Sequence, residues 1–236
     1  MDVFITGVSS GIGNGLAKAY LAAGARVFGL SRRAPAELQA HPAFNFIPVD
    51  LSRLETIAPA VERLLQGAGG LDAVILNAGV LGEIGDMGRT SLETMRRVMD
   101  VNLWANKPVL DAVFAGNRDV TQVVAISSGA SVSGARGWNA YSLSKAALNM
   151  MMKLYAAERP GTHFSALAPG LADTAMQERI RDLPADLPFP MVERLKKAQG
   201  TPEMPGPDEL ATRILAAIPV LRGRKSGDFH DLRSLH

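Results

Sequence analysis

Residues 3–21, VFITGVSSGIGNGLAKAYL, carry an apolar run, a glycine-studded turn and a helical pattern in immediate succession. Val3, Phe4 and Ile5 read as a short buried strand ended by Thr6 and Gly7, and the stretch from Leu16 to Leu21 reads as a helix. Strand, glycine turn and helix form the context that a nucleotide-binding fingerprint requires. Gly7 permits the tight turn, Gly11 lets backbone approach a pyrophosphate, and Gly13 lets helix and strand pack closely. Ser9, Ser10 and Ile12 share that loop, and the phosphate then sits on the helix N-terminus. The spacing is GxxxGxG rather than GxGxxG, and glycine also marks ordinary βα turns, so the reading needs the rest of the chain.

Immediately downstream, Ala25 to Leu30 is a second strand, and an acidic residue is expected at its end if the ribose 2′-hydroxyl of NAD is to be bound. The strand ends instead in Ser31, Arg32 and Arg33. Two guanidinium groups and a hydroxyl suit a 2′-phosphate, because arginine offers paired donors and a permanent positive charge. NADP(H) is therefore the expected cofactor; two arginines in a solvated loop are the plainer alternative. A third strand spans Phe44 to Asp50. Asp50, next to Leu51, is placed to accept from an adenine amino group or to cap the helical stretch over 53–66. A fourth strand, 72–76, closes into Asn77-Ala78-Gly79, whose small residues let a cofactor approach the strand ends. A long helical stretch then begins near Ser91 and carries Asn102, a polar residue within the apolar sequence VNLW. Buried, it is either a hydrogen-bond bridge or part of a proton path.

The segment 127–153, SSGASVSGARGWNAYSLSKAALNMMMK, holds groups able to move a proton onto a carbonyl oxygen. Tyr141 and Lys145 are four residues apart in an Ala-, Leu- and Met-rich stretch, so on a helix both side chains emerge on one face. An ammonium held near the phenol favours the phenolate and lowers a pKa that is ordinarily about 10. The pair becomes an acid/base. Ser128 follows the apolar run Val123-Val124-Ala125-Ile126, where a buried strand would deliver its hydroxyl to the sheet edge to polarise a substrate oxygen. Taken alone, Tyr and Lys at this spacing are usually one surface face of a helix, and it is the surrounding chain that overturns that view.

At 236 residues the chain suits one α/β domain spanning 1–236. The apolar fraction of 47% is that of a globular protein, and the net charge of +2 comes from dispersed Lys and Arg, so no nucleic-acid partner is expected. There is no cysteine, which excludes disulfide and thiolate chemistry, and no His pair at zinc-ligand spacing, so no metal is expected. The N-terminus runs straight into a strand and nothing later approaches ~18 uninterrupted apolar residues. A soluble, cytoplasmic protein without a membrane partner is the expectation. Further strands at 120–126 and His163 to Ala168, the latter ended by Pro169-Gly170, continue a strand and helix alternation through six repeats. This predicts a Rossmann-type, doubly wound parallel α/β sheet of about seven strands, counting 226–231, flanked by helices, with ligands beyond the C-terminal strand ends. The Pro-, Met- and charge-rich segment 174–207 interrupts the rhythm with two short amphipathic stretches, as a lid over the site would; a helix resumes over 208–218.

These pieces together resemble the short-chain dehydrogenase/reductase family along almost the whole chain. TGxxxGIG at 6–13, NAG at 77–79, Asn102, Ser128 thirteen residues before Tyr141, YxxxK, and PGxxxT at 169–174 occur in family order. The resemblance implies that Tyr141 is the general acid for carbonyl reduction and that Ser128 binds the substrate oxygen. Lys145 is implied to lower the tyrosine pKa and to hold the nicotinamide ribose, and Asn102 to position a water ending a proton relay through the ribose hydroxyl and Lys145. Pro169, Gly170 and Ala172 are implied to border the cofactor and Thr174 to contact the nicotinamide carboxamide; Ala172 departs from the larger branched residue usual there. Details at 77–87, 137–150, 169–181 and 225–231 resemble the sepiapterin reductase and benzil reductase branch. By position Asp231 matches the Asp that anchors a pterin in sepiapterin reductases, although a polar residue ending the last strand is an equal reading. Trp138, Leu81, Met176 and Met191 are candidates for an apolar wall of a site for a small carbonyl substrate, a ketone or diketone. The family habit of pairing the helices near 91–115 and 139–157 implies a homodimer or homotetramer. Two rivals are a noncatalytic NADP-binding regulatory or scaffold protein, which would usually lose one of Ser, Tyr and Lys, and a nucleotide-sugar epimerase or dehydratase, which needs a larger C-terminal substrate domain.

Overall fold

Seven parallel strands pair in the order β3-β2-β1-β4-β5-β6-β7 in a computed structural model that describes residues 1–183 and 189–235. The strands are β1 (Asp2–Thr6), β2 (Arg26–Ser31), β3 (Phe44–Pro48), β4 (Ala73–Leu76), β5 (Gln122–Ile126), β6 (His163–Ala168) and β7 (Phe229–Asp231). Parallel neighbours need crossovers, and helices supply them: α1 (Gly11–Ala22), α2 (Ile57–Leu64), α3 (Leu92–Met99), α4 (Asn106–Phe114), α5 (Ala130–Ser133), α6 (Asn139–Glu158), α7 (Ala175–Arg181), α8 (Pro190–Ala198) and α9 (Pro207–Leu221). The expected doubly wound α/β sheet of about seven strands is what forms.

The inner strands are buried on both faces, their side chains alternating across the pleat between two helical layers, while the edge strands β3 and β7 are only partly covered. In β1, Phe4 faces one core layer with Phe28, Val74, Val123 and Phe164, against the helices α2, α4 and α6. Val3 and Ile5 face the other with Val27, Ile75, Val124 and Leu167, against α1 and α9. Burying each such side chain is worth roughly 1.5–3 kcal/mol, so slipping a strand by one residue exchanges every partner at once. Strand order reverses between β1 and β4, and the loops at their C-terminal ends diverge to opposite faces, leaving a crevice.

The segment 174–207 forms α7 and α8, as its two amphipathic stretches predict; residues 184–188 of it lie outside the described residues. Ile180, Phe189, Val192, Leu195, Ala198 and Met204 pack with Leu81 and Trp138 in a third apolar cluster, separate from the two sheet layers. That cluster roofs the C-terminal end of the sheet.

Candidate active site

A cleft of about 1270 Å³ runs along the C-terminal strand ends. Its floor is made by close backbone packing at the first glycine turn. Gly7 has φ +77°, the left-handed region that favours glycine, and a side chain on it would meet Ala78 Cα at 2.9 Å. Gly13 lies behind the cleft, not in its lining: a Cβ there would stand 2.3 Å from the Gly7 carbonyl oxygen and from Asn77 Nδ2. Asn77 Nδ2 donates to the carbonyls of Thr6 (2.9 Å) and Gly7 (3.3 Å), and Thr6 Oγ1 accepts from the backbone N–H groups of Asn77 and Ala78, both at 3.0 Å. Side-chain amide and hydroxyl thus rivet the β1 and β4 loops together. Ser10, the residue before α1, has extended backbone and makes no side-chain cap, so first-turn N–H groups remain for an anion. Gly7, Ser9, Ser10, Gly11, Ile12, Ala78 and Gly79 all line this end.

At the ends of β2 and β3 the sequence expectation is met in part. Ser31, Arg32, Asp50 and Leu51 line the cleft. Arg33 does not: it is exposed beyond the rim, and its carbonyl accepts a 2.7 Å hydrogen bond from Ser31 Oγ. One guanidinium, not two, therefore borders the space. Asp50 Oδ1 accepts from Ser52 N–H at 3.0 Å and Ser52 Oγ at 2.8 Å, the capping alternative. Those bonds, and then the charges of Arg32 and Arg53, hold its carboxyl below the usual range.

Farther along, α6 brings Tyr141 and Lys145 to the cleft wall beside Ser128. Lys145 Nζ donates to the carbonyl of Ile126 at 2.7 Å and lies 5.8 Å from the Tyr141 ring centroid. Burial lowers the lysine to about 8. The same burial pushes the Tyr141 phenol up, and a hydrogen bond from Ser128 works against that rise. This corrects the expectation of an acidified phenol. Desolvation of the phenol is the larger cause, and the ammonium is itself desolvated and turned toward a carbonyl. Ser128 Oγ accepts from Ala130 N–H at 3.1 Å, which leaves its own proton for an oxygen atom.

Asn102 is fully buried and does not line the cleft. It sits in a π-helical turn, Asp100–Trp104, between α3 and α4. Its Oδ1 accepts from Val80 N–H (2.7 Å), and its Nδ2 donates to the Val80 carbonyl (2.9 Å) and to Ser144 Oγ (3.0 Å). The hydrogen-bond bridge is thus realised, tying the β4 loop to α6. Above it, a Cβ on Gly79 would stand 3.3 Å from Asn102 Oδ1 and 3.4 Å from Lys145 Nζ; the missing side chain is part of the cradle.

Pro169, Gly170, Ala172 and Thr174 line the adjoining wall, and Leu81, Trp138, Met176 and Met191 line the roof. Asp231 borders the same end, but its carboxylate is engaged by Arg233, with Nε to Oδ1 at 2.9 Å and Nη2 to Oδ2 at 2.5 Å. That contact, ahead of other causes, keeps Asp231 below the ordinary carboxylate range. Arg233, together with Arg97 and Arg194, also borders the cleft; sequence reading missed all three, because isolated arginines outside a motif carry no pattern. Among the described residues no cluster of His, Cys, Asp and Glu could hold a metal, and no helix is long and apolar enough to cross a membrane.

A glycine-floored cleft, a bare helix N-terminus and a Ser, Tyr and Lys wall at the reversal of a parallel sheet define a nucleotide-dependent oxidoreductase. Residues 2–184 match the short chain dehydrogenase family, and the chain belongs to it. It is 31% identical to benzil reductase ((S)-benzoin forming) of Bacillus subtilis, with 99% of each chain covered. It is 33% identical to a benzil reductase of Saccharomyces cerevisiae, over 94% of this chain and 90% of that one. The crystal structure of the KRED1-Pglu enzyme superposes with a TM-score of 0.84 at 27% identity, covering 97% of this chain and 99% of that one. The resemblance to the benzil reductase branch is borne out, and the protein is an oxidoreductase; the cofactor expected from the sequence is a nicotinamide dinucleotide. The cleft fits that group: side chains on Gly7 or Gly79 would intrude on the space beside Ala78 and Lys145.

Proposed function

We propose that the chain is an NADPH-dependent carbonyl reductase acting on a ketone or diketone of the benzil type. The observation that carries this reading is the convergence of Ser128, Tyr141 and Lys145 on one wall of a cleft whose opposite end holds Arg32 and whose roof is apolar. A dihydronicotinamide, when bound, would supply the hydride. Ser128 Oγ–H donates to the substrate oxygen, which strengthens as negative charge develops there. Tyr141 gives up its phenolic proton to that oxygen as general acid. Lys145 anchors α6 to the end of β5 and leaves its remaining N–H donors toward the space above Gly79. Asn102 keeps the Val80 backbone and Ser144 in register beneath them. Leu81, Trp138, Met176 and Met191 exclude water and give aromatic or alkyl substituents a surface, with α7 and α8 as the covering lid. Arg32, which lines the cleft, would hold the 2′-phosphate that separates NADPH from NADH.

Purified protein mixed with NADPH and benzil, sepiapterin, isatin or simple ketones tests this by the loss of NADPH absorbance. Turnover of the aromatic diketone is expected, and Tyr141→Phe should lower kcat by roughly 10²–10⁴-fold while leaving NADPH affinity within a factor of two. Undiminished turnover in Tyr141→Phe sinks the reading.

A further inference from the structure

Tyr141, Lys145 and Asn149 recur at every fourth residue of α6, so they form one stripe on the helix face turned toward the end of β5. The mechanism above uses the first two. Asn149 is only 9% exposed, does not line the cleft, and has its amide engaged at both ends. Ser127 Oγ donates to Asn149 Oδ1 at 2.6 Å, and Asn149 Nδ2 donates to Ser131 Oγ at 2.9 Å. Ser131 Oγ donates in turn to the carbonyl of Ser128 at 2.6 Å. A carbonyl can only accept, so the proton of Ser131 is committed to Ser128, its lone pair must take Asn149 Nδ2, and Asn149 Oδ1 must face the hydroxyl of Ser127. Every link has one direction.

The sheet does not do this job. Ser127 N–H already donates to the Leu167 carbonyl at 2.8 Å, so the strand end is held without the amide. Beyond it the chain leaves the ladder, and residues 128–131 turn into the short α5, bonded locally to one another and tied to α6 by this amide and by the Ser128 hydroxyl at Tyr141. We propose that Asn149 is a positioning residue for Ser128: by gripping Ser127 and Ser131 on either side, it fixes the Ser128 hydroxyl against the helix that carries Tyr141. The inference rests on the reading of Ser128 as the donor to the substrate oxygen. Loss of the grip lets the loop shift relative to Tyr141 while the cofactor floor, built on other elements, stays in place. Misplacements of about 1 Å in such a donor cost roughly 100-fold in rate.

The test is a double-mutant cycle with benzil as substrate and NADPH affinity read separately by fluorescence titration. Asn149→Leu, close in volume but without the amide, is expected to lower kcat by about 10- to 100-fold and to leave NADPH binding unchanged. In a Ser128→Ala background the same substitution should cost less than about twofold further, because the group it positions is gone. A bystander that merely supports the fold gives the same loss in both backgrounds, and that result, or an unaffected kcat in Asn149→Leu, overturns the proposal. Should Asn149→Leu not fold, Ser131→Ala cuts the far link of the same chain and is held to the same pair of outcomes. Full activity of Ser128→Ala overturns the role of Ser128 itself and this inference with it, a failure distinguishable because it is seen without touching Asn149.

Discussion

Lys145 crosses from α6 to donate to the carbonyl of Ile126, the last residue of β5, and this contact joins the helix bearing Tyr141 to the strand that delivers Ser128. It also fixes how the ammonium responds to pH. Burial lowers the lysine from 10.5 to about 8. Below pH 8 the folded and unfolded chains both hold the proton and the full cost of burying the charge is present. Between about 8 and 10.5 the unfolded chain binds more protons than the folded one, so stability rises with pH through that window. Measured by urea unfolding, the gap between wild type and Lys145→Met is expected to move in favour of wild type by on the order of 3 kcal/mol across it. A gap that stays constant would mean that the ammonium is not buried as described.

Gly13→Ala should damage both the fold and the cofactor floor. The added carbon would stand 2.3 Å from the Gly7 carbonyl oxygen and from Asn77 Nδ2, so β1, α1 and the β4 loop must separate. A loss of about 1–3 kcal/mol is expected, seen as a fall in Tm of roughly 2–4 °C per kcal/mol, with weaker NADPH binding. Gly69→Ala, where a Cβ meets nothing within 4 Å, is the matched control and should melt like wild type.

The division between the two arginines after β2 yields a selective prediction. Arg32→Ala is expected to weaken NADPH binding by about 10- to 100-fold, the range of a charged hydrogen bond, and to leave NADH unchanged. Arg33→Ala should matter less, because only Arg32 lines the cleft. Wild-type protein that binds NADH more tightly than NADPH would defeat the assignment.

Leu143, Met150 and Leu154 fall on one stripe of α6 and are exposed, as is Trp104 in the turn that packs beside that helix. Such a stripe on paired helices is expected to self-associate into a dimer or tetramer. Light scattering should give a mass above that of one chain, and Met150→Lys combined with Leu154→Lys should reduce it. A monomer at micromolar concentration in the wild type counts against this surface.

The strands were legible because a sheet buried on both faces demands short, uninterrupted apolar runs, and Val3 to Ile5, Ala73 to Leu76 and Val123 to Ile126 have no other use. The cleft lining was legible where motif spacing dictates geometry, at Gly7, Gly11, Ser128, Tyr141 and Lys145. It was less so where one residue of loop decides the outcome: Arg32 reaches the rim and Arg33 does not, because Ser31 ties back the Arg33 carbonyl. The direction of the Tyr141 shift is not legible from spacing, which reports the proximity of Lys145 but not the desolvation of both groups. Asn149 and Ser131 left no trace in the pattern, because they meet across a long sequence separation, and Arg233, two residues from its partner Asp231, belongs to no motif.

The wide turn at Asp100–Trp104 couples local irregularity to the whole back half of the molecule. Each residue of a regular helix advances it by about 100°, and the extra residue of a π-type turn takes up one such step, so deleting one position there to restore regular winding would keep Val109, Leu110 and Val113 facing the sheet layer they fill. Asn102 would leave Val80 and Ser144 at the same stroke. A length change of a single residue at this spot is thus opposed by the buried amide beneath the cleft rather than by the interior, whereas point substitutions on its outer side remain open.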